Sequence, residues 1–432
     1  GVQFNQTQFG SQGFSGTRGW DVNGSYSMNG GWQGLNQFLL DGAPISTNGS
    51  WQVSPNVDAI QEFKVMTNTY DAQYGRTGGG TVNTSIKAGG NRPHGTLFDY
   101  IRNSVLDANT SQNNLVGAPR GKHIVNDFGG TVGGPIQKDK TFYFFSYEGW
   151  RERVPFPVVS STIPDYLRPR ADGSVDLSAL AQKYGAGQYG IYDPLTTTCI
   201  KTNAQGQCQQ YTRQPFANNV IPANRIDPQA LAIINLYPLP NAPGCGPGDS
   251  IDSCPDTGNY FGTNLTGRYS YNQYMGRLDH NFNAANRIYG LYTWQRGHEF
   301  RDQNGFIGPA ITGNINSERD DVNLVLDGTH VFSPTALGDV RLSYGRFHDD
   351  FPNGDLKSSL TAAKLGLTMP AVPTTLPLPP RIGIDRFNGV IGNQFGDHFT
   401  NQLNFAPSLS QTWGLHTLHY GAEVADMIYA DD

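Results

Sequence analysis

The sequence has few charged residues and no long apolar run. Lysine, arginine, aspartate and glutamate together make up 15% of the 432 residues, and the net charge is -6. This balance argues against a nucleic-acid-binding protein, because contacts with phosphate groups require a basic surface. No segment approaches the roughly 18 consecutive apolar residues of a membrane-spanning helix, so such a helix is excluded.

Signatures of catalysis and of metal binding are also lacking. The nine histidines show no His-x-x-x-His spacing, and no Gly-x-Ser-x-Gly nucleophile elbow occurs. Residues 185–190, GAGQYG, match a dinucleotide-binding pattern in letters but lack the preceding strand and following helix. The adjacent aspartates 320–321 and 349–350 are interpreted as solvated strand ends rather than as calcium ligands. The sequence therefore predicts no enzyme, no cofactor and no metal site.

Four cysteines form two pairs with the same spacing, Cys199 with Cys208 and Cys245 with Cys254. Local pairing is the simplest connectivity and would form in an oxidising compartment. A four-cysteine zinc site is the competing interpretation. It is disfavoured because zinc ribbons space each ligand pair only about two to four residues apart. We therefore expect two disulfide-closed loops.

Glycine and aromatic residues are abundant instead. The chain has 53 glycines, 21 tyrosines and 23 phenylalanines, which is typical of turn-rich antiparallel β structure with aromatic girdles. About nine segments alternate apolar and polar residues over roughly the length of a barrel strand. They are 96–103, 126–135, 140–149, 268–280, 287–298, 321–332, 337–348, 399–413 and 417–427. Ile288, Gly290, Tyr292 and Trp294 should share one face.

Two long segments between these strands, residues 150–267 and 349–397, are rich in proline and glycine. Loops of this length count against a compact soluble domain, but long external loops are expected in an outer-membrane barrel. Within the first loop the pattern predicts one helix from Asp227 to Tyr237. Asp227 would be its N-cap and Pro228 its first residue.

Residues 57–90 are the segment around which the rest of the chain is interpreted. Phe63 and Val65 alternate with charged residues in a first short strand, and Val82 and Ile86 alternate with polar residues in a second. This alternation predicts two half-buried strands. Neither strand would be stable alone, so each needs neighbours. The glycines between the strands must allow a sharp turn or a close approach to another surface.

The same segment resembles the plug domain of TonB-dependent outer-membrane receptors, in particular the Oar-like branch. That family shows an Ile-Glu-x-x-x-Val strand, a Tyr-Gly pair, a glycine cluster, a Val/Ile-Asn strand and a Lys-x-Gly exit. Here these elements fall on Ile60, Glu62 and Val65, on Tyr74 and Gly75, on Gly78, Gly79 and Gly80, on Val82 and Asn83, and on Lys87 and Gly89. Residues 36–42, 123–149 and 221–241 are also similar to this branch.

The resemblance implies an all-β fold, a large transmembrane antiparallel β-barrel with an N-terminal plug domain. Such a barrel has about 22 strands when complete, so we expect this chain to be a partial one. Residues 1–95 would be the later part of the plug. Residues 96–432 would be the first part of the barrel, with its long loops at 150–267 and 349–397. The location would be the bacterial outer membrane, in contact with its lipid.

The function implied by the resemblance is energised passage of a large or scarce solute across the outer membrane. The solute could be an oligosaccharide, a peptide or a metal chelate. Energy would come from the TonB complex, acting on a segment that we expect to lie outside this chain. Two alternatives stay open. One is an Oar-like surface barrel that acts in adhesion, display or protein export, and the other is a soluble secreted β-rich binding protein.

The resemblance also gives candidate site residues. Trp32, Trp51, Tyr74 and Arg76 are candidates for contact with the solute at the external face. The competing interpretation is that Tyr74 and Arg76 pack the plug against the barrel wall, where a buried arginine would pair with wall carboxylates. A hinge in the plug would be formed by Gly75, Gly78, Gly79 and Gly80.

Overall fold

The structure is a computed structural model. It describes residues 2–4, 26–28, 30–31, 35–47, 50–51, 53–67, 72–74, 77–109, 114, 120–155, 158–241, 257–262, 266–301, 306, 315–351, 362–367, 382–385, 387–390 and 396–431. Strands predominate among these residues, and the helices are few and short. No helix in these ranges is long and apolar enough to span a membrane.

Eight short strands come first along the chain. They are β1 (Val2–Phe4), β2 (Tyr26–Met28), β3 (Gln37–Leu40), β4 (Ala43–Pro44), β5 (Ser46–Thr47), β6 (Ser50–Trp51), β7 (Ile60–Met66) and β8 (Thr81–Ile86). Four of them form one sheet in the order β4-β3-β8-β7. In this sheet β3 and β8 are parallel, whereas β7 and β8 are antiparallel. We call these four strands the inner sheet.

The inner sheet confirms the two strands predicted within residues 57–90, and these strands pair with each other. The predicted alternation of burial is found in β8, where Val82 and Ile86 are 3% exposed. It is not found in β7, where Phe63 is 51% and Val65 40% exposed. The reason is position, because β7 is the edge strand of the inner sheet whereas β8 is central.

Three long strands follow, and then a loop region with six short ones. The long strands are β9 (His94–Asn103), β10 (Ile124–Gln137) and β11 (Thr141–Pro155). The short strands are β12 (Val158–Ser160), β13 (Val175–Asp176), β14 (Thr198–Thr202), β15 (Cys208–Thr212), β16 (Val220–Ile221) and β17 (Tyr260–Gly262). The short strands pair only among themselves, as β12 with β17, β13 with β16 and β14 with β15.

Seven more strands complete the main sheet. They are β18 (Thr266–Asn281), β19 (Asn286–Arg301), β20 (Ile315–Ser333), β21 (Ala336–Phe351), β22 (Gly396–Trp413), β23 (His416–Gly421) and β24 (Val424–Asp431). The sheet runs β9-β10-β11-β18-β19-β20-β21-β22, and β23 and β24 both pair with β22. All neighbours are antiparallel. We call these ten strands the wall. They occupy nine strand positions, because β23 and β24 pair with different parts of β22. All nine predicted segments are found as strands of the wall.

The two faces of the wall differ in chemistry. The outward face carries exposed apolar side chains, among them Leu97, Leu278, Ile288, Tyr292, Leu324, Leu326, Leu342, Leu403 and Phe405. The inward face carries buried polar side chains, among them Glu148, Gln273, Thr293, Gln295, Asp321, Asn323, Ser343, Gln402 and Asn404. Because successive strand residues point to opposite faces, this difference follows from the period-2 pattern of the sequence. An apolar exterior around a polar interior is characteristic of outer-membrane barrels.

Four aromatic side chains form a row across the outward face. Tyr147 lies 6.1 Å from Phe128 and 5.1 Å from Tyr274 between ring centroids, and Tyr274 stacks on Trp294 at 5.4 Å. The Trp294 indole also donates to Asp320 Oδ1 at 2.9 Å. Amphipathic rings with one polar partner suit the boundary between lipid and water. The row therefore fits the predicted aromatic girdle.

The connections between wall strands are short at one end and long at the other. Residues 138–140, 282–285, 334–335 and 414–415 are turns of two to four residues, and we call their end of the wall the turn end. At the opposite, loop end, β11 is joined to β18 by residues 156–265 and β21 to β22 by residues 352–395. In outer-membrane barrels the long loops are extracellular and the short turns periplasmic.

In the described parts of the long loops the helices are Ser178–Tyr184, Ala186–Tyr189 and Pro228–Ile234. Single 3-10 turns occur at Val57–Ala59, Ala72–Tyr74, Ser104–Leu106, Asp165–Leu167, Pro194–Thr196, Ala217–Asn219 and Ala223–Arg225. The helix predicted after Asp227 is confirmed, but it ends at Ile234 rather than at Tyr237. The Asp227 carboxylate accepts from Gln229 N at 2.7 Å, which caps the helix N-terminus.

Segments of three different loops pack around one apolar cluster. We call it the loop cap, and its buried members are Ile163, Tyr237, Tyr260, Phe306, Leu365 and Val390. Polar contacts to the backbone hold the loops together. Ser161 N donates to Asn388 Oδ1 at 2.7 Å, and Thr162 N donates to Asn259 Oδ1 at 2.8 Å. The loops at this end of the wall therefore form a packed unit.

Candidate functional site between the inner sheet and the wall

An apolar contact joins the inner sheet and its flanking residues to the inward face of the wall. One cluster of buried side chains contains, from the inner part, Met28, Phe38, Leu40, Ala43, Ile45, Ala59, Val82 and Ile86, and from the wall, Phe144, Met275, Leu291 and Val325. Burial of a single side chain the size of leucine or phenylalanine contributes about 1.5–3 kcal/mol. Many of the other buried side chains on this face are polar, so these four wall residues provide a local apolar seat.

A buried ion pair lies beside this seat. Asp41 follows β3 in a tight turn, where Asp41 and Gly42 both have positive φ, 48° and 78°. Asp41 Oδ2 accepts from Arg277 Nη1 of β18 at 2.8 Å, and its Oδ1 accepts from Ile86 N at 2.9 Å. The two charged side chains are 7% and 13% exposed. Burial raises the pKa of the Asp41 carboxyl group, and the nearby arginines only partly offset this.

A second wall arginine, Arg341 of β21, lies against the same turn. Its guanidinium group is 3.0 Å from Asp327 and 3.8 Å from Asp339. A Cβ atom at Gly42 would lie 2.5 Å from Arg341 Nη1. The positive φ therefore favours glycine at position 42, and a side chain there would have to displace the Arg341 guanidinium group.

The Gln273 side chain of β18 binds the backbone of residues 54–56, which precede β7. Gln273 Nε2 donates to Ser54 O at 2.8 Å, and Asn56 N donates to Gln273 Oε1 at 3.2 Å. The same amide nitrogen donates to Gln295 on the adjacent strand at 2.9 Å. One wall glutamine thus satisfies both a carbonyl and an amide of residues 54–56, which fixes where this segment sits on the wall.

The match to an established family settles the class of protein. The family model of the outer membrane beta barrel domain matches residues 85–431. The chain belongs to this family. It is accordingly a protein of the bacterial outer membrane, as the exposed apolar face of the wall also requires. The alternative of a soluble secreted β-rich protein is therefore wrong.

Known relatives of this outer-membrane barrel chain are transporters. It is 30% identical over 129 residues to the TonB-dependent transporter Oar of Myxococcus xanthus, a match that covers 28% of this chain and 12% of Oar. Its structure is similar to the outer membrane transporter YddB of Escherichia coli, with a TM-score of 0.50, 8% identity and coverage of 93% of this chain and 42% of YddB. The siderophore receptor PirA of Acinetobacter baumannii gives a TM-score of 0.46, 12% identity and coverage of 94% and 42%.

These comparisons confirm the resemblance to TonB-dependent receptors that the sequence indicated. The chain spans less than half the length of each of these relatives, 12% of Oar and 42% of the two solved structures. At 8% identity the likeness to YddB shows the fold alone. It supports an outer-membrane β-barrel of which this chain contributes nine strand positions.

Tyr74 borders a cavity of about 480 Å³ between the inner sheet and the outer-membrane barrel wall. Gln37, Gly42, Arg341 and Tyr420 also line it. Arg341 and Tyr420 are both within a few residues of a turn that joins two wall strands, so this cavity lies toward the turn end. The other candidates for solute contact are not described in full: Trp51 lies in β6 but its side chain, like Trp32 and Arg76, falls outside the described residues.

The glycine run of the proposed hinge is tightly held. Gly78 N and Gly79 N donate to Leu35 O at 3.1 and 3.2 Å, and Gly80 N donates to Asn36 Oδ1 at 3.1 Å. A Cβ atom at Gly80 would lie 2.9 Å from Met66 O. The predicted close approach of this run to another surface is confirmed. Its action as a hinge stays a prediction, and Gly75 lies outside the described residues.

Cys199 and Cys208 form a disulfide that joins β14 to β15. This confirms the local pairing predicted for the first two cysteines and excludes a zinc site that uses all four. Cys245 and Cys254 lie outside the described residues.

Sequence reasoning missed the wall residues of this site. Arg277 and Gln273 lie in a strand that was recognised, but their partners are more than 200 residues away in sequence. The available signal was the alternation along β18, which places Gln273 and Arg277 on the same, inward face. The interpretation of adjacent aspartates as solvated is wrong for Asp321, which is fully buried and lies 3.3 Å from Arg319. Adjacent strand residues face opposite sides, so Asp320 and Asp321 have different surroundings.

Proposed function

We propose that this chain forms the plug and part of the barrel of a TonB-dependent outer-membrane transporter. Residues 1–95 would be the plug domain, and residues 96–432 the barrel with its loops at 150–267 and 349–397. The contact of the inner sheet with the inward face of the wall carries this proposal. The ion pair of Asp41 and Arg277 and the seat around Phe38 and Met275 hold the inner sheet where it would obstruct a pore.

The transported solute would be large or scarce, such as an oligosaccharide, a peptide or a metal chelate. Passage requires work, because buried apolar contacts and a buried ion pair must be released before the inner sheet can move. The TonB complex would supply this work, as the relation to Oar suggests. Solute binding would bias the plug between its seated and released states.

Among the candidate site residues, Trp32, Trp51 and Arg76 remain proposed contacts for the solute. Tyr74 borders a cavity at the turn end, beside Arg341. This position supports the packing role for Tyr74 rather than contact with a solute at the external face. The run Gly78–Gly80, with Gly75, remains the proposed hinge.

Deletion of residues 57–90 tests the proposal. Loss of β7 and β8 removes half of the inner sheet, so the barrel should admit large antibiotics and dyes that the outer membrane normally excludes. Deletion of residues 191–224, a stretch of the same length in the loop region, is the matched control and should leave the barrier intact. Unchanged exclusion of both probes by the 57–90 deletion would refute a plug role for the inner sheet.

A second candidate function is surface display or adhesion, with protein export as a related possibility. The packed loop cap and the disulfide-linked hairpin favour it, because a rigid external unit suits recognition of a macromolecule. The 191–224 deletion separates the two functions. A transporter whose solute does not contact this hairpin should retain uptake, whereas an adhesion barrel should lose its binding to surfaces or cells.

A further inference from the structure

A second cavity, of about 380 Å³, lies between residues 54–57 and the wall, apart from the cavity beside Tyr74. Its inner side is formed by Ser54–Val57, and its outer side by β9, β10, β11 and β18. Trp150 and Tyr271 line it, and each is nearer to the loop end of its strand than to the turn end. This cavity is therefore placed toward the extracellular side, where an incoming solute would first meet the inner segment.

Two aromatic side chains of this cavity are fixed by hydrogen bonds. The Trp150 and Tyr271 rings are stacked, 6.1 Å apart and within 5° of parallel. Tyr271 OH donates to Glu148 Oε1 at 2.9 Å, and Trp150 Nε1 donates to Glu152 Oε2 at 3.2 Å. Glu152 is held in turn by His123 Nε2 at 2.8 Å. The rings are therefore preorganised, which lowers the ordering cost of binding.

The polar groups of the cavity are not all satisfied. Asn56 is 6% exposed, and its Nδ2 atom has no hydrogen-bond partner among the described residues. The Asp127 and Glu148 carboxyl groups both line the cavity and share a side-chain hydrogen bond, which requires one proton between them. Buried polar atoms normally have partners, so this set is suited to a ligand that supplies both an acceptor and a cation.

We infer that this cavity binds a cationic side chain, a lysine or arginine of a peptide solute. The ammonium or guanidinium group would donate to the negatively charged Asp127–Glu148 pair and lie against the Trp150 and Tyr271 rings. A peptide carbonyl would accept from Asn56 Nδ2. This inference rests on the proposed transport function, and it selects a basic peptide from the solute classes.

One cation already borders the cavity. Arg102 of the edge strand β9 lines it, but its guanidinium group donates to Asp107 Oδ2 at 3.4 Å and its side chain is 48% exposed. Its charge is therefore offset and screened by solvent. A neutral sugar could also stack on the aromatic pair. Two adjacent carboxyl groups favour a cation over a sugar, and the test below includes both.

The experiment is isothermal titration calorimetry on the complete protein in detergent. The probes are the tripeptide Gly-Arg-Gly, its neutral analogue Gly-citrulline-Gly, and the neutral sugar maltotriose. We expect Gly-Arg-Gly to bind at least about tenfold more tightly than the citrulline peptide, because charge-assisted hydrogen bonds are lost with the charge. Equal binding of the two peptides, binding of maltotriose alone, or no binding of any probe would overturn the inference.

Two variants locate the site. E148Q and D127N each replace one carboxyl group of the pair by an amide with little change of shape, and each should weaken Gly-Arg-Gly binding about tenfold. E62Q, an exposed carboxylate on β7 outside the cavity, should bind like the wild type. If E148Q does not fold because the new amide group disturbs the hydrogen bond from Tyr271, D127N still tests the site. Normal binding by D127N would overturn the assignment.

The same experiment separates this inference from the proposed function. Binding to the purified protein needs neither TonB nor transport. Peptide binding in a protein that supports no uptake would contradict the transport proposal and leave the site standing. Normal uptake of some other solute by a protein that does not bind the peptide would contradict the site alone.

Discussion

Two apolar clusters of this protein are closed in different ways. The cluster between the inner sheet and the wall is bordered by buried charges, Asp41 with Arg277 and Asp327 with Arg341. The loop cap is instead held by side chains that bind backbone. Arg168, for example, donates to the carbonyls of Ile163 and Pro238 at 3.0 and 2.7 Å.

This difference has a consequence for motion. Displacement of one partner of a buried ion pair leaves the other charge buried without compensation. Movement of a single side chain can therefore weaken the whole contact. The wall near the inner sheet also carries buried atoms without partners among the described residues, such as Gln295 Nε2, Asn323 Oδ1 and Gln402 Oε1. The inner contact thus suits a part that must come loose, and the loop cap suits a part that keeps its shape.

Loss of the wall arginine should have the largest effect. R277Q leaves the Asp41 carboxylate buried without its ion-pair partner, which typically costs about 3–5 kcal/mol. The inner sheet should therefore detach at a lower urea concentration, measured as trypsin cleavage within residues 57–92. R346Q is the control, because Arg346 lies over the Phe399 ring and makes no ion pair in the described part of the chain. Equal protease resistance of the two variants would contradict the role of the ion pair.

Truncation in the loop cap should have a slightly smaller and separate effect. Phe306 is 3% exposed and contacts the Tyr237 and Tyr260 rings edge-on at 6.0 and 5.2 Å. F306A should destabilise the cap by about 3 kcal/mol and expose residues 158–241 to trypsin, with no change in cleavage of the inner sheet. L195A, at a side chain 80% exposed, should have no effect. Release of the inner sheet by F306A would show that the two clusters are coupled.

Loss of the disulfide should reduce stability less than the changes at either apolar cluster. Replacement of Cys199 and Cys208 by serine opens a link that spans 9 residues, and the chain-entropy model gives about 2.5 kcal/mol for such a loop. The effect should be confined to faster hydrogen exchange in residues 198–212. Reduction of the wild-type disulfide should reproduce it. Faster exchange that extends to residues 228–237 would contradict a local role.

The smallest expected effect is a pH dependence from Asp41. Its pKa is raised above the ordinary 3.8 by burial, so the folded protein holds this proton more tightly than the unfolded chain. The associated stability is therefore complete below the ordinary value and is lost as pH rises through the raised pKa. Urea resistance of the inner sheet should fall more steeply above pH 4 in the wild type than in D41N. D107N, an exposed site, should follow the wild type.

Much of the fold follows from local pattern. The period-2 alternation located the nine strand positions of the wall, and the Asp-Pro pair at 227–228 located a helix start, because both signals lie within a few residues of chain. The alternation alone could not show that β8 would be buried and β7 exposed. Their sequences alternate alike, and only the strand order of the inner sheet distinguishes them.

The sites depend on pairings over long separations. Asp41 meets Arg277 across 236 positions, and Tyr271 meets Glu148 across 123. The register between strands and the seat of the inner sheet bring these groups together, and neither is encoded near the residues themselves. The sequence placed Asp41 in a segment similar to the Oar-like branch and Glu148 in a strand, but it gave no sign that either would be buried against a partner.

The most direct test of the account is a photo-cross-link from the inner sheet. Phe38, which is 1% exposed and belongs to the cluster that contains the seat, is replaced by p-benzoylphenylalanine. Intact cells are irradiated, and the cross-linked peptides are identified by mass spectrometry. The account predicts attachment to wall peptides that carry Met275, Leu291 or Val325. Attachment only to lipid, or only to wall peptides that carry none of these three residues, such as those with Leu97 or Phe405, would contradict it.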